Sequence, residues 1–193
     1  IYRFNFKYLM KKLISSDKKR CINYRVKLIE MSKRVSEIHL GGTFSSTEIL
    51  DAIYNILMKK DERENFILSK GHCSALQYVI LNHLKILKDE DLYRYSKSSG
   101  KLGVHPEIKN KGLNASTGSL GQGLSMAAGF ALNNRKKNVF VVLSDGELQE
   151  GSTWEAVMAI RNLNLNNLIA VIDNNDLQCL ERSSISTPSI YPI

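Results

Sequence analysis

Long apolar runs are missing from this sequence. The longest, such as Val139–Leu143 and Leu168–Ile172, have five residues, against the roughly 20 that a membrane-spanning helix needs. Cysteine is scarce. Cys21, Cys73 and Cys179 lie far apart with no CxxC pair, which argues against a disulfide scaffold or a zinc ribbon and is expected of reduced thiols in a cytoplasmic protein. There is no internal repeat, and the first residue is Ile1 rather than Met, as expected of a chain whose start is not that of translation. With 43% apolar and 24% charged residues among 193, disorder and collagen-like sequence are excluded, and one domain able to bury its own core is expected.

Positive charge is present but confined. The formal net charge is +8, yet residues 1–34 alone carry +9 and residues 35–193 carry −1. A nucleic-acid-binding fold would spread its basicity over a folded face, so the charge is assigned to an arm. Residues 1–20 interleave Lys11, Lys12, Lys18, Lys19 and Arg20 with Tyr2, Phe4, Phe6 and Tyr8. A nucleic-acid arm, a membrane arm or a targeting segment would look like this, and so would a solvated extension. The expectation adopted is a disordered extension, with structured sequence from about Tyr24.

Downstream, Tyr24, Leu28, Met31, Val35 and Ile38 recur at helical spacing. After a break at His39 to Gly42, Ser45 and Glu48 stand at capping-box spacing before a second apolar helix. Phe66–Leu68 reads as a short buried strand and His72 to about Lys85 as a helix. Residues 93–117 read as a long polar loop, usually functional in a compact domain. Leu120–Leu132 is small, apolar and helical. Val139–Leu143 and Leu168–Ile172 lack polar alternation, as strands covered on both faces do. Between them Ser152 and Glu155 again have capping-box spacing. Strand, helix, strand predicts an α/β fold: a three-layer parallel sheet with helices on both faces.

In such sheets ligands bind beyond the carboxyl ends of the strands. One strand runs into Ser144-Asp145-Gly146 and the other into Asp173-Asn174-Asn175. An Asp and an Asn at neighbouring strand ends can converge on a hard divalent cation, Mg2+ or Ca2+. Gly146 would let a phosphate approach the backbone.

The stretch SDGELQEGSTWEAVMAIRNLNLNNLIAVIDNND resembles the thiamine-diphosphate signature of the transketolase family. HLGGTFSSTEIL (39–50), ILSKGH (67–72), GVHPE (103–107) and STGSLGQGL (116–124) extend the resemblance in family order over roughly residues 24–180. It is strongest to the N-terminal, diphosphate-binding subunit of a split transketolase. The resemblance implies a thiamine-diphosphate-binding domain over residues 21–193, incomplete at its C-terminal end. It also implies a two-carbon ketol transfer from a ketose phosphate to an aldose phosphate. Asp145 and Asn175 would then be metal ligands, with the Leu177 carbonyl a third. Gly118, Ser119 and Leu120 would line the cofactor, Gly146 would lie beside its diphosphate, and Glu150 would join a carboxylate network between two cofactor-binding domains. His72 would face the diphosphate; His39 and His105 would face substrate and assist proton transfer, a task suited to imidazole. His83 is expected to be structural, and Cys73 no nucleophile.

Ser144 stands where the family commonly has the first Gly of GDG, Ser119 where it has Pro, and Ile38 where Gly often precedes the histidine. These departures point to a divergent branch. The glutamate that activates the cofactor lies in the family on a second, pyrimidine-binding domain, and nothing here resembles that domain. A partner subunit is therefore expected, in a heterotetramer, and the chain alone should be inactive. The alternatives are a transketolase-like enzyme of specialised sugar biosynthesis, a non-catalytic remnant, and nucleic-acid binding by the arm.

Overall fold

A computed structural model describes residues 6–59, 65–178 and 181–186. Its elements in chain order are α1 (Phe6–Ser32), α2 (Leu40–Ser45), α3 (Thr47–Ala52), β1 (Phe66–Leu68), α4 (Ser74–His83), α5 (Asp89–Tyr93), α6 (Gly123–Asn133), β2 (Val139–Ser144), α7 (Gly151–Asn162), β3 (Leu168–Asp173) and α8 (Ser183–Ser186). The three strands form one parallel sheet in the order β1-β2-β3. The helices cover both of its faces, so the α/β expectation holds.

Strand alternation assigns the two cores. Phe66, Leu68, Phe140 and Val142 point to one face, where Tyr24, Leu28 and Met31 of α1, Leu50 of α3 and Leu76, Val79 and Ile80 of α4 bury against them. Ile67, Val139, Val141 and Leu143 point to the other, against Leu124, Ala127 and Ala131 of α6 and Ala156 of α7. Successive strand residues alternate between faces, and β2, in the middle, is buried along its whole length. The run Leu168–Ile172, expected to be covered on both faces, is not: β3 lies at the end of the strand order, and the residues of the run are half-buried with Ala170 exposed. Small residues at Ala127 and Ala131 let α6 lie close on the strands.

Several local expectations need correction. α1 starts at Phe6, not near Tyr24, and crosses the expected boundary at residue 20. Arg20, assigned to the arm, donates from Nε and Nη2 to both carboxylate oxygens of buried Asp51, each at 2.9 Å. A fork of this kind holds the helix onto α3. α1 also ends at Ser32, leaving Val35 and Ile38 to pack on the core from an irregular segment.

Neither expected capping box forms. The residues flanking α3 and α7 on the N-terminal side are Ser46 and Glu150, without side-chain cap hydrogen bonds. Glu48 instead pairs with Arg25 at 2.6 Å, and the Ser152 hydroxyl donates to the Gly121 carbonyl at 3.1 Å. Boxes form instead at Lys88 and Asp91, before α5, and at Ser144 and Glu147, around the 3-10 turn Asp145–Gln149.

The long loop is held from α4. The Ser74 hydroxyl donates to the Val104 carbonyl at 2.6 Å, and the Tyr78 hydroxyl donates to those of Gly103 at 3.1 Å and His105 at 2.9 Å. Among the described residues no helix is long and apolar enough to cross a membrane.

Candidate functional site

Parallel pairing places the C-terminal ends of all strands on one edge of the sheet, with Leu68 beside Val142 and Ser144 beside Asp173. Every loop carrying an expected site residue from the strands leaves from that edge. The turn after β1 brings Ser69, Lys70, Gly71 and His72. Its backbone stays tied to the sheet, because the amides of Ser69 and Lys70 both donate to the Val142 carbonyl, at 2.9 and 3.3 Å.

Glycine permits two close approaches here. A Cβ on Gly71 would lie 2.8 Å from the Gly118 nitrogen, so the β1 turn rests directly on the backbone of the 117–118 loop. Gly118, at φ +145°, leaves room for the His105 ring, whose Cδ2 would be 2.8 Å from an added Cβ. The Thr117 hydroxyl fixes the same loop by donating to the Leu68 carbonyl at 2.6 Å. In this way residues distant in sequence become neighbours without any regular element at 94–122.

The expected histidines do assemble. His39, preceding α2, and His72 meet edge to face with ring centroids 5.7 Å apart. His39 and His105 are exposed, whereas His72 is half-buried. Burial, followed by the charges of Lys70, His39 and His105, pushes the His72 imidazole down to about 4. His83 lies at the end of α4, edge-on to Tyr24 at 5.5 Å and outside this group. The Cys73 thiol is buried and pushed up to about 11, chiefly by burial, which keeps it protonated and unreactive.

Beneath the histidines lies a polar network that motif reading missed. Lys70, 1% exposed, donates from Nζ to the Asp173 carboxylate at 2.5 Å. The same Oδ2 accepts the hydroxyls of Ser45 at 2.6 Å and Ser46 at 2.7 Å. Burial raises the Asp173 pKa, but the bonds from Lys70 and the two serines outweigh it and hold the group below its ordinary value. A charge removed from water requires such partners. The available signal was a Lys two residues after an all-apolar strand, and an Asp ending another.

The expected metal ligands occupy adjacent strand ends, yet their side chains are engaged internally. The Asp145 Oδ1 accepts the Gly146 amide at 3.0 Å, and Oδ2 accepts the hydroxyl of buried Ser183. Asn175 donates from Nδ2 to Ser45 at 3.1 Å and accepts the Leu177 amide on Oδ1 at 2.8 Å. The Leu177 side chain is exposed. Among the described residues no group of three or more His, Cys, Asp or Glu side chains is arranged to hold a metal. A cation here would rest on one carboxylate together with amide and backbone oxygens, a donor set for a hard ion. Ser119 is exposed and Leu120 half-buried, a Cβ added at Gly146 would make only ordinary contacts, 3.8 Å from the Gln178 side chain, and Glu150 is exposed at the start of α7.

Residues 17–188 match the family described as transketolase, thiamine diphosphate binding domain. The chain is 34% identical over 165 residues to one of the subunits of the apulose-4-phosphate transketolase of Phocaeicola vulgatus, covering 80% of this chain and 59% of that protein. It is 36% identical over 152 residues to a 6-deoxy-6-sulfo-D-fructose transketolase subunit of a Clostridium species, covering 72% of this chain and 55% of that one. The solved transketolase of Campylobacter jejuni superposes with a TM-score of 0.78 at 28% identity, over 86% of this chain and 29% of that one. The chain thus spans a little over half the length of these subunit relatives.

Proposed function

We propose a function from one premise, that this chain belongs to the transketolase family through its thiamine diphosphate binding domain. In this reading it is the diphosphate-binding subunit of a split transketolase. The assembled enzyme moves a two-carbon ketol unit from a ketose phosphate to an aldose phosphate. The observation that carries the reading is the convergence on one sheet edge of Lys70, His39, His72 and His105 from one side and Asp145 and Asn175 from the other.

The donor set fits the group. A diphosphate needs cations and hydrogen-bond donors, and a hard divalent ion needs oxygens. His72 would face the diphosphate, with Gly146 giving it a close backbone approach. Asp145, Asn175 and the Leu177 carbonyl would hold Mg2+ or Ca2+, and the Ser183 hydroxyl would then release Asp145. Gly118, Ser119 and Leu120 would line the cofactor, and Glu150 would reach the partner's side. Thiamine diphosphate supplies the carbon–carbon chemistry when bound. His39 and His105, exposed at the mouth, would orient substrate hydroxyls and hold or pass their protons.

A second subunit bearing the pyrimidine-binding domain completes the site, in a heterotetramer of two copies each, and this chain alone is inactive. The naming of both relatives as subunits supports a partner. The same names favour a more specialised reading, in which the donor is an uncommon sugar and not a pentose-phosphate intermediate; substrate profiling separates the two. The buried thiols of Cys21 and Cys73 support a reducing, cytoplasmic setting.

Replacing Asp145 with Ala tests the assignment. Metal-dependent thiamine diphosphate binding and activity of the reconstituted enzyme should both be lost, with the complex still assembled. Cofactor binding at wild-type affinity would contradict it.

A further inference from the structure

Glu147 is fully buried, and the donors that reach its carboxylate are all neutral. Its Oε1 accepts the Ser69 hydroxyl and, at 3.0 Å, the Gly121 amide. Its Oε2 accepts the Ser144 amide at 2.9 Å and the Ser144 hydroxyl at 3.4 Å. Its own carbonyl accepts the Thr153 hydroxyl at 2.6 Å, which fixes it to the first turn of α7.

These donors belong to three separate loops. Ser69 opens the turn that carries Lys70 and His72. Gly121 closes the loop of Gly118, Ser119 and Leu120. Ser144 immediately precedes Asp145 and Gly146. Burying a carboxylate is costly unless its lone pairs are used, and here they are used to join the three segments that build one site.

We propose that Glu147 is a positioning residue: its carboxylate sets the spacing between the β1 turn, the Gly118–Gly121 loop and the Asp145 turn, and through them the geometry of cofactor binding. This deepens the functional reading above and rests on it. The chemistry demands a carboxylate. Each oxygen faces a backbone N–H, which can only donate. An amide in either orientation would set an NH2 group against Gly121 N–H or Ser144 N–H, leaving buried donors opposed.

The test uses Glu147→Gln and Ser69→Ala in the full chain assembled with its partner subunit. Thiamine diphosphate affinity is measured by calorimetry with Mg2+ present, and amide exchange is followed without cofactor. For Glu147→Gln, affinity should fall about tenfold or more, as expected for losing a hydrogen bond to a buried charge. Exchange should quicken together in residues 69–73, 118–121 and 144–146. Ser69→Ala should quicken the first segment alone and weaken binding by a smaller factor. Wild-type affinity with exchange changed only at 144–149 would overturn the proposal. Should Glu147→Gln fail to fold, Ser69→Ala decides: unaltered affinity and unaltered exchange at 69–73 overturn it. A wild-type assembly that binds no cofactor overturns the functional reading instead, and the exchange data then judge the linkage of the loops alone.

Discussion

A lysine taken out of water needs an acid beside it, and Lys70 has Asp173 with two serine hydroxyls on the same oxygen. Burial is the main reason the His72 imidazole resists protonation, and the Lys70 charge adds to it while Asp173 works the other way. The linkage has a definite sign. The folded-state value of His72 is about 4 against an ordinary 6.5, so between those values the unfolded chain binds a proton that the folded chain does not. Stability therefore falls as pH drops from about 6.5 and levels off below about 4. The contribution is about 3 kcal/mol at most. Urea midpoints at pH 7, 5 and 4 should show this, and His72→Asn should flatten the dependence; parallel curves for the two proteins would contradict it. At this scale the sequence was informative where chemistry is concentrated in rare residues. Three of its four histidines stand in matched segments and two of those meet ring to ring. Lys70, Glu147, Ser45 and Ser46 were not legible, because their roles depend on burial, and Lys, Glu and Ser are ordinarily surface residues.

Helix α6 shows how one element answers two demands. Gly123 faces Ser69 so closely that an added Cβ would lie 2.7 Å from the Ser69 Cα, whereas Gly129 has nothing within 4 Å. The same substitution should therefore have opposite signs at two places in one helix. Gly129→Ala should stabilise the chain by roughly 0.5–1 kcal/mol through backbone entropy alone. Gly123→Ala, at the first residue of the helix, should destabilise it by about 1–3 kcal/mol through overpacking against Ser69. Thermal melts of both variants check this, and equal shifts would refute it. The strands were legible because five-residue apolar runs have few alternatives. The helix starts were not. Ser45 and Ser152 have capping spacing, but tertiary acceptors, Asp173 and the Gly121 carbonyl, claim their hydroxyls. One of the boxes that do form, at Ser144 and Glu147, sits in a stretch read for its metal ligand. The early start of α1 was hidden by charge, since a basic helix and a basic tail have the same composition.

The molecule as a whole is a two-faced parallel sheet whose functional groups lie along one edge. One side of that edge offers cationic and hydrogen-bonding groups, the other hard oxygens. Charge is divided along the chain rather than across the fold, as the sequence indicated, but the basic N-terminal segment is anchored through Arg20 to Asp51. The central proposal is that this chain supplies the diphosphate half of a site that another polypeptide completes. The most direct test is a native mass spectrum of the protein isolated from its source cells, with thiamine diphosphate and Mg2+ present. The account predicts a complex that contains bound cofactor together with a second, different polypeptide. A monomer or homodimer of this chain without cofactor would contradict it.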